Sequence, residues 1–332
     1  MNTPGLVKSA GALVALAILS ACGSGSAVPP SSAVPNVRYV GKTLFVNGRP
    51  VTAARLSPLP RYATLAPVHH GGKTFEYIFN EYDTYASIFD YPKSVAEIGQ
   101  IYGDGGQGCT NALYGYGKKI MWNVGGQTQV TEYQVPQTPI KTLSVSFTFP
   151  TSCAMNTNGD IAIGDYDSGQ VAIYKNATGS PTVYSTPLDE EFFDGYDNNG
   201  NLFADGFTGN RSGFALVELP KGSSKFVKLT TSNSVQFPGS VQWDGTYVTV
   251  FDQLANATYR YTISGTKATL QHTVTYSGSS DCAQTWIVKG LLYCGDAGNN
   301  QGEVFKYPAG GSAAAVFTGS FDFPLGATAA KK

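Results

Sequence analysis

A short apolar run that ends in Asp or Asn, turns, and resumes as a second apolar run recurs along this 332-residue chain at Asn80, Asn123, Asp165, Asp205, Asp252 and Asp296. The successive gaps are 43, 42, 40, 47 and 44 residues. So regular a period constrains the fold more than any single motif. Each repeat must be one supersecondary unit that buries its apolar surface against its neighbours.

The repeat is built from strands. In the fifth copy, Val241 to Trp243 leads to Asp244-Gly245, Thr246 to Phe251 closes at Asp252, and Thr258 to Ile263 begins the return before Ser264-Gly265. First hairpins in other copies turn at Asn158-Gly159, Asn199-Gly200, Gly117-Lys118 and Lys289-Gly290, where Gly or Asn tolerates positive φ. Fourth strands follow at Glu97 to Tyr102, Thr142 to Phe149, Thr182 to Thr186, Lys225 to Thr230, Thr269 to Thr275 and Ala313 to Thr318. Four short strands per unit of this period predict an all-β, six-bladed β-propeller over residues 66–330, made of four-stranded antiparallel blades. The 39 Gly, 20 Tyr and 18 Phe suit such a chain, which needs many tight turns and cross-strand aromatic pairs. Phe323-Pro324-Leu325-Gly326 repeats the blade-opening phrase of Phe149-Pro150 and Phe237-Pro238, yet no blade follows it. That orphan strand is expected to pair with the first blade and close the ring.

Residues ahead of the repeats read differently. Lys8, the apolar stretch Ala10 to Leu19, and Leu19-Ser20-Ala21-Cys22 form an export signal over residues 1–22, too short to span a bilayer. Residues 23–36 are a Gly/Ser/Pro tether. Residues 37–65 hold a hairpin around Asn47-Gly48 and a Pro-punctuated connector.

Leu19-Ser20-Ala21-Cys22 resembles the lipobox of bacterial lipoproteins, which implies that Cys22 is lipidated. Gly23 in place of Asp then implies outer-membrane retention in a Gram-negative envelope. Leu291 to Asn300 with Val304-Phe305, and Asn199 to Asp205, resemble the repeat of NHL-type propellers, in which the Asp caps a turn. The whole layout is similar to exported, lipobox-bearing propeller proteins of bacteria, a resemblance that implies no particular activity.

Chemistry-bearing constellations are sparse. A formal net charge of −1 without a basic run argues against nucleic acid as a partner. The three histidines, His69, His70 and His272, are accompanied by no nucleophile elbow. The recurring Asx markers read as turn caps rather than metal ligands. Asp197, Asn199 and Asn201 could offer calcium hard oxygens, but they read better as a hairpin turn. Asn111, Asn156, Asp194, Gln242 and Gln284 fall at comparable inner-strand positions and are the candidate channel ligands. Gluconolactonase-type propeller hydrolases hold a divalent metal at the channel mouth, and these five residues make a hydrolase or lyase with bound calcium the alternative reading. Only Asp194 among them is charged, which is poor for a dication. The aromatic run Phe75, Tyr77, Phe79, Tyr82, Tyr85, Phe89 and Tyr91 reads as packing between blades.

Cys109, Cys153, Cys282 and Cys294 form an even set in an exported chain. Cys282 and Cys294 flank one hairpin, and Cys109 and Cys153 hold the same place in successive repeats, so bridges 282–294 and 109–153 are expected. The sequence therefore favours a lipid-anchored envelope module, without cofactor, that binds a protein, small molecule or glycan at one rim, over an enzyme.

Overall fold

In the computed structural model, the described residues are 37–40, 43–46, 49–51, 74–80, 85–102, 107–110, 119–123, 129–134, 138–209, 211 and 213–331. The chain divides into two units, Met1–Leu59 and Pro60–Lys332. In the first, β1 (Val37–Val40), β2 (Thr43–Val46) and β3 (Arg49–Val51) form a three-stranded antiparallel sheet. Val46 pairs with Arg49, and Asn47-Gly48, where the sequence places the hairpin turn, lie outside the described residues.

The second unit is all β. It begins with β4 (Thr74–Asn80), β5 (Tyr85–Phe89) and β6 (Gly99–Tyr102). Next come β7 (Gln107–Thr110), β8 (Lys119–Asn123), β9 (Gln129–Gln134) and β10 (Thr138–Ser144), then β11 (Pro150–Met155), β12 (Ile161–Asp165), β13 (Gln170–Tyr174) and β14 (Thr182–Ser185). β15 (Glu190–Tyr196), β16 (Leu202–Thr208), β17 (Gly213–Leu219) and β18 (Val227–Thr231) follow, and after them β19 (Pro238–Trp243), β20 (Val248–Asp252), β21 (Ala257–Ser264) and β22 (Lys267–Ser277). The last strands are β23 (Cys282–Val288), β24 (Leu291–Asp296), β25 (Gln301–Lys306), β26 (Gly311–Ser312), β27 (Ala315–Phe317) and β28 (Pro324–Lys331).

Successive strands pair as antiparallel meanders, a propeller-like arrangement; two-residue parallel ladders join β18 to β22 and β22 to β26. β28 lies between β23 and β4. It is antiparallel to β4 from Pro324↔Asn80 to Lys331↔Thr74, and meets β23 in a parallel bridge at Gln284↔Gly326.

Burial explains the residue pattern. β4, β12 and β20 are buried along their whole length, and the one carboxylate each carries, Glu76, Asp165 and Asp252, accepts backbone N–H hydrogen bonds. The outlying β22 alternates between buried and exposed positions, in keeping with its polar KATLQHTVTYS composition. The aromatic run at the first sheet is core: Tyr77, Phe79 and Phe89 are fully buried, and Phe89 stacks on Phe317 at 4.2 Å between ring centroids. The fourth strand predicted at Thr142 to Phe149 instead occupies Thr138–Ser144, because the ladder with β9 starts at Thr138↔Gln134.

Both expected disulfides are present, Cys109–Cys153 joining β7 to β11 and Cys282–Cys294 joining β23 to β24. Loop-closure entropy makes the first, across 44 residues, worth about 4 kcal/mol and the second, across 12, about 3 kcal/mol. Replacing Cys109 and Cys153 together by Ser should lower the urea-unfolding free energy by about that amount, with the smaller loss for the 282–294 pair. Deleting residues 324–332 removes the ladder on the inner edge of β4 and the fully buried Ala327, Ala329 and Ala330. We expect that truncation to abolish cooperative melting, as followed by near-ultraviolet circular dichroism.

Candidate functional site

The repeat markers behave as a set with one exception. The Asp165 carboxylate accepts the Phe149 N–H at 2.8 Å and the Ser168 hydroxyl at 2.5 Å. Asp252 accepts the N–H groups of Gln236, Phe237 and Ala255, and Asp296 those of Ser280, Asp281 and Asn299. Each side chain thus ties the turn after the second strand to the entry of the first. Asn80 does the same with a residue from the far end of the chain, accepting the Asp322 N–H at 3.0 Å. For Asn123 the backbone lies in β8 and the side chain is outside the described residues.

Asp205 departs from this pattern. β16 runs on past it to Thr208, and the ladder with β15 continues two residues further, through Glu191↔Gly206 and Glu190↔Phe207. No turn remains there for it to cap. Its carboxylate is fully buried and accepts no hydrogen bond of good geometry, although the Gly239 and Phe193 N–H groups lie close enough to ease its ionisation in part. Gly206 permits the extension, since a Cβ there would lie 1.9 Å from the Glu190 carbonyl oxygen.

A bulge between Glu191 and Phe193 turns a second carboxyl inward. Glu191 is fully buried, cradled by the neighbouring sheet, where a Cβ on Gly164 would lie 1.7 Å from Glu191 Oε2. The Ser152 hydroxyl bridges Glu191 Oε1 at 3.0 Å and Asp194 Oδ2 at 2.9 Å. Asp194 Oδ1 is buried with no partner. Burial pushes the carboxyls of Glu191, Asp194 and Asp205 above their ordinary range, and the Asp194 charge adds to the effect on Glu191.

Two cavities adjoin this group. A cleft of about 20 Å³, room for one water-sized group, lies among Met155, Asp194, Tyr196, Gln242, Trp243 and Trp286. The Trp286 indole N–H, like Asp194 Oδ1, is buried without a partner. A larger depression of about 500 Å³ lies over the turns Asn156–Asp160 and Asp197–Gly200, with Lys175, Tyr184 and Lys221 at its sides. Tyr196 lines both. At the other end of β15, Phe192 packs edge-on against Tyr166, Phe207 and Phe237, with centroids 5.1–5.6 Å apart.

The sequence-derived candidates are dispersed. Asp194 and Gln242 share the small cleft, and Asn156 borders the larger depression. Gln242 uses its amide as a clamp, donating to the Ile287 carbonyl at 2.8 Å and accepting the Ile287 N–H at 2.7 Å. Gln284 clamps Gly108 in the same way, at 2.8 and 3.1 Å. Asn156 Oδ1 accepts the Asn158 and Asp160 N–H groups, and Asp197 Oδ1 those of Asn199 and Asn201, so both are turn formers. Asn111, Cys22, His69 and His70 lie outside the described residues. His272 is exposed, 3.4 Å from the Tyr247 hydroxyl. Glu191, Ser152, Tyr196, Trp243 and Trp286 are the residues missed by sequence reasoning. The acidic density at Asp189-Glu190-Glu191 with Asp194 was their one visible signal.

The carboxyls allow a sign to be assigned to pH dependence. A folded-state pKa raised above the unfolded value means that the folded state holds its proton longer, so stability is greatest at low pH and falls as pH rises above the unfolded value near 4. Between pH 5 and pH 8 the wild-type urea midpoint should therefore fall. Asp205→Asn, which keeps shape and removes the charge, should lessen that fall and raise stability at pH 8 by on the order of 1–2 kcal/mol. An unchanged pH profile in the variant would refute the assignment.

No protein-family profile matches the chain, and no curated protein matches it. Solved structures do. A chain of the crystal structure of a nidogen/laminin complex aligns with a TM-score of 0.60 at 12% identity, covering 77% of this chain and 98% of that one. A protein of unknown function from Bacteroides caccae aligns at 0.56 and 12%, covering 78% and 99%. A functionally unknown protein from Desulfotomaculum acetoxidans aligns at 0.53 and 12%, covering 77% and 99%. At this identity the likeness establishes a β-propeller-like fold and nothing about chemistry.

Proposed function

We propose that the chain is a non-catalytic binding module: a six-bladed β-propeller whose ring is closed by β28 against β4, held at the cell envelope by a lipid on Cys22. The observation that carries this reading is the depression at one rim. It lies over the first-hairpin turns of two successive repeats, Asn156–Asp160 and Asp197–Gly200, and its volume of about 500 Å³ is that of a ligand site. The groups that repeat are consumed inside the scaffold, the Asx carboxylates by backbone N–H groups and the Gln242 and Gln284 amides by neighbouring strands. With those amides engaged, the inner strands have few oxygens left for a calcium ion, which supports binding over a lactonase-type reaction. The nidogen/laminin neighbour belongs to a complex between two proteins and is in keeping with a propeller used for recognition. Two disulfides suit an oxidising compartment outside the cytoplasm.

Anchoring by Cys22 requires a diacylated thioether, since one acyl chain alone binds a bilayer only marginally. Expressed in a bacterial host, the wild-type chain should sediment with membranes and label with radioactive palmitate, and Cys22→Ser should do neither. Purified without its tether, the protein should turn over none of a panel of aldonolactones with or without calcium. Measurable turnover that chelation abolishes would replace the binding reading with the hydrolase one.

A further inference from the structure

β11 and β15 belong to different sheets, and no backbone ladder among the described residues joins them. Side chains tie them instead. The Thr151 hydroxyl donates to the Glu191 carbonyl at 3.2 Å. The Ser152 hydroxyl stands 3.0 and 3.1 Å from the two carboxyl oxygens of Glu191 and 2.9 Å from Asp194 Oδ2. Ser152, Glu191 and Asp194 are all buried.

A serine hydroxyl carries one hydrogen and can donate it to one carboxyl only. Were both carboxyls ionised, the second contact would set a carboxylate oxygen against a serine lone pair at hydrogen-bond distance. A second hydrogen removes the conflict. One carboxyl keeps its proton and donates to Ser152 Oγ, and Ser152 donates to the other.

Nor does a cation stand by to stabilise two charges. β15 pairs with β16 and lies against β11, β12 and β19, and these five strands carry no Lys, Arg or His. Their other acids are Asp165, held at the end of β12 by the Phe149 N–H and the Ser168 hydroxyl, and Glu190, paired with Arg211. Asp205 on β16 is fully buried and would add a third negative charge. Tyr196 and the disulfide-bonded Cys153 complete the titratable side chains of these strands. Buried acids without a counter-ion stay neutral by keeping protons. Glu191 has no exposed surface whereas Asp194 keeps 6%, so the charge falls on Asp194 and the proton on Glu191. In keeping with this, burial raises the Asp194 carboxyl to about 7 and carries Glu191 well above its ordinary range, the Asp194 charge adding to the effect.

We propose that Glu191 stays protonated in the folded protein and donates to Ser152, which donates to Asp194, a clasp between β11 and β15 that opens when alkaline solution removes the proton. The β7–β11 junction is tied by the Cys109–Cys153 bridge and the β19–β23 junction by the Gln242 amide, neither of which takes up or loses a proton. β11 and β15 also lead into the turns Asn156–Asp160 and Asp197–Gly200 that carry the depression. The clasp therefore joins the two strands behind that rim, whatever the depression binds.

Infrared spectroscopy and urea unfolding of the full chain test it. With glutamate isotopically labelled at its carboxyl carbon, the wild type should show a protonated glutamate carbonyl band at pH 8, where Glu190 and Glu303, raised only to about 7, have largely lost their protons. Glu191→Gln, whose amide donates to Ser152 in place of the acid proton, should abolish that band. A proton kept in the folded state and released on unfolding makes the folding constant fall about tenfold per pH unit between the unfolded and folded pKa values. Between pH 5 and pH 8 the variant should therefore lose about tenfold less per pH unit than the wild type, and be the more stable at pH 8. Absence of the band in the wild type, its survival in Glu191→Gln, or an unchanged slope would overturn the proposal. Should Glu191→Gln not fold, Ser152→Ala decides. It takes away the acceptor, so the glutamate band should move to higher frequency, and an unmoved band would overturn the clasp equally.

Discussion

Everything in the second unit hangs on a single kind of contact, the Asx side chain that fastens the end of a second strand to the start of the first strand of the same sheet. A hairpin alone leaves that entry free to swing. The carboxylates of Asp165, Asp252 and Asp296 reach 15 or 16 residues back along the chain and fix it by backbone hydrogen bonds. Hydrogen bonds to a charged acceptor are stronger than neutral ones, and here they also satisfy backbone donors that would otherwise be buried unpaired. Asn80 shows how general the device is: its partner Asp322 lies 242 residues away. A contact that is local elsewhere in the chain is supplied at β4 by the other end of it.

Once the entries are fixed, the inner strands can be held to one another. Gln242 and Gln284 each treat the backbone of another inner strand as though it were a ladder partner, giving and receiving one bond. The Cys109–Cys153 bridge joins β7 to β11 covalently, within a cluster that Trp286 reaches from β23. Polar groups at these positions therefore serve cohesion. That is why amides predominate where a metal site would need carboxylates.

Much of this was legible in the sequence, for reasons particular to each element. The Asx markers and Pro-headed openings show because each is a local chemical requirement repeated at a fixed interval. The cysteine pairs show because one flanks a hairpin and the other occupies equivalent places in adjacent repeats. The Gln clamps could not be read, since an amide on an inner strand looks the same whether it faces a ligand or another backbone. Tyr196, Trp243 and Trp286 come from β15, β19 and β23, separated by more than 40 residues at each step, and no spacing rule brings them to one cleft. Glu191 depends on a bulge beside it and on a glycine, Gly164, in the preceding sheet.

The β15–β18 sheet is where the repeat breaks its own rule, and the break has a cost. Extending the β15–β16 ladder removes the turn that Asp205 would cap and leaves a buried carboxyl without good partners. Burial disfavours the charged form of that carboxyl, and the Gly239 and Phe193 N–H groups offset this only in part. The same strand supplies Glu191, Asp194 and Tyr196 within six residues, and these line or support both cavities. Scaffold positions elsewhere obey local propensity, and departures from it gather at functional sites. Glu191 and Asp194 on β15 and Asp205 on β16 thus put three buried carboxyls on one strand pair, whose far end at Tyr196 borders the depression on which the binding reading rests.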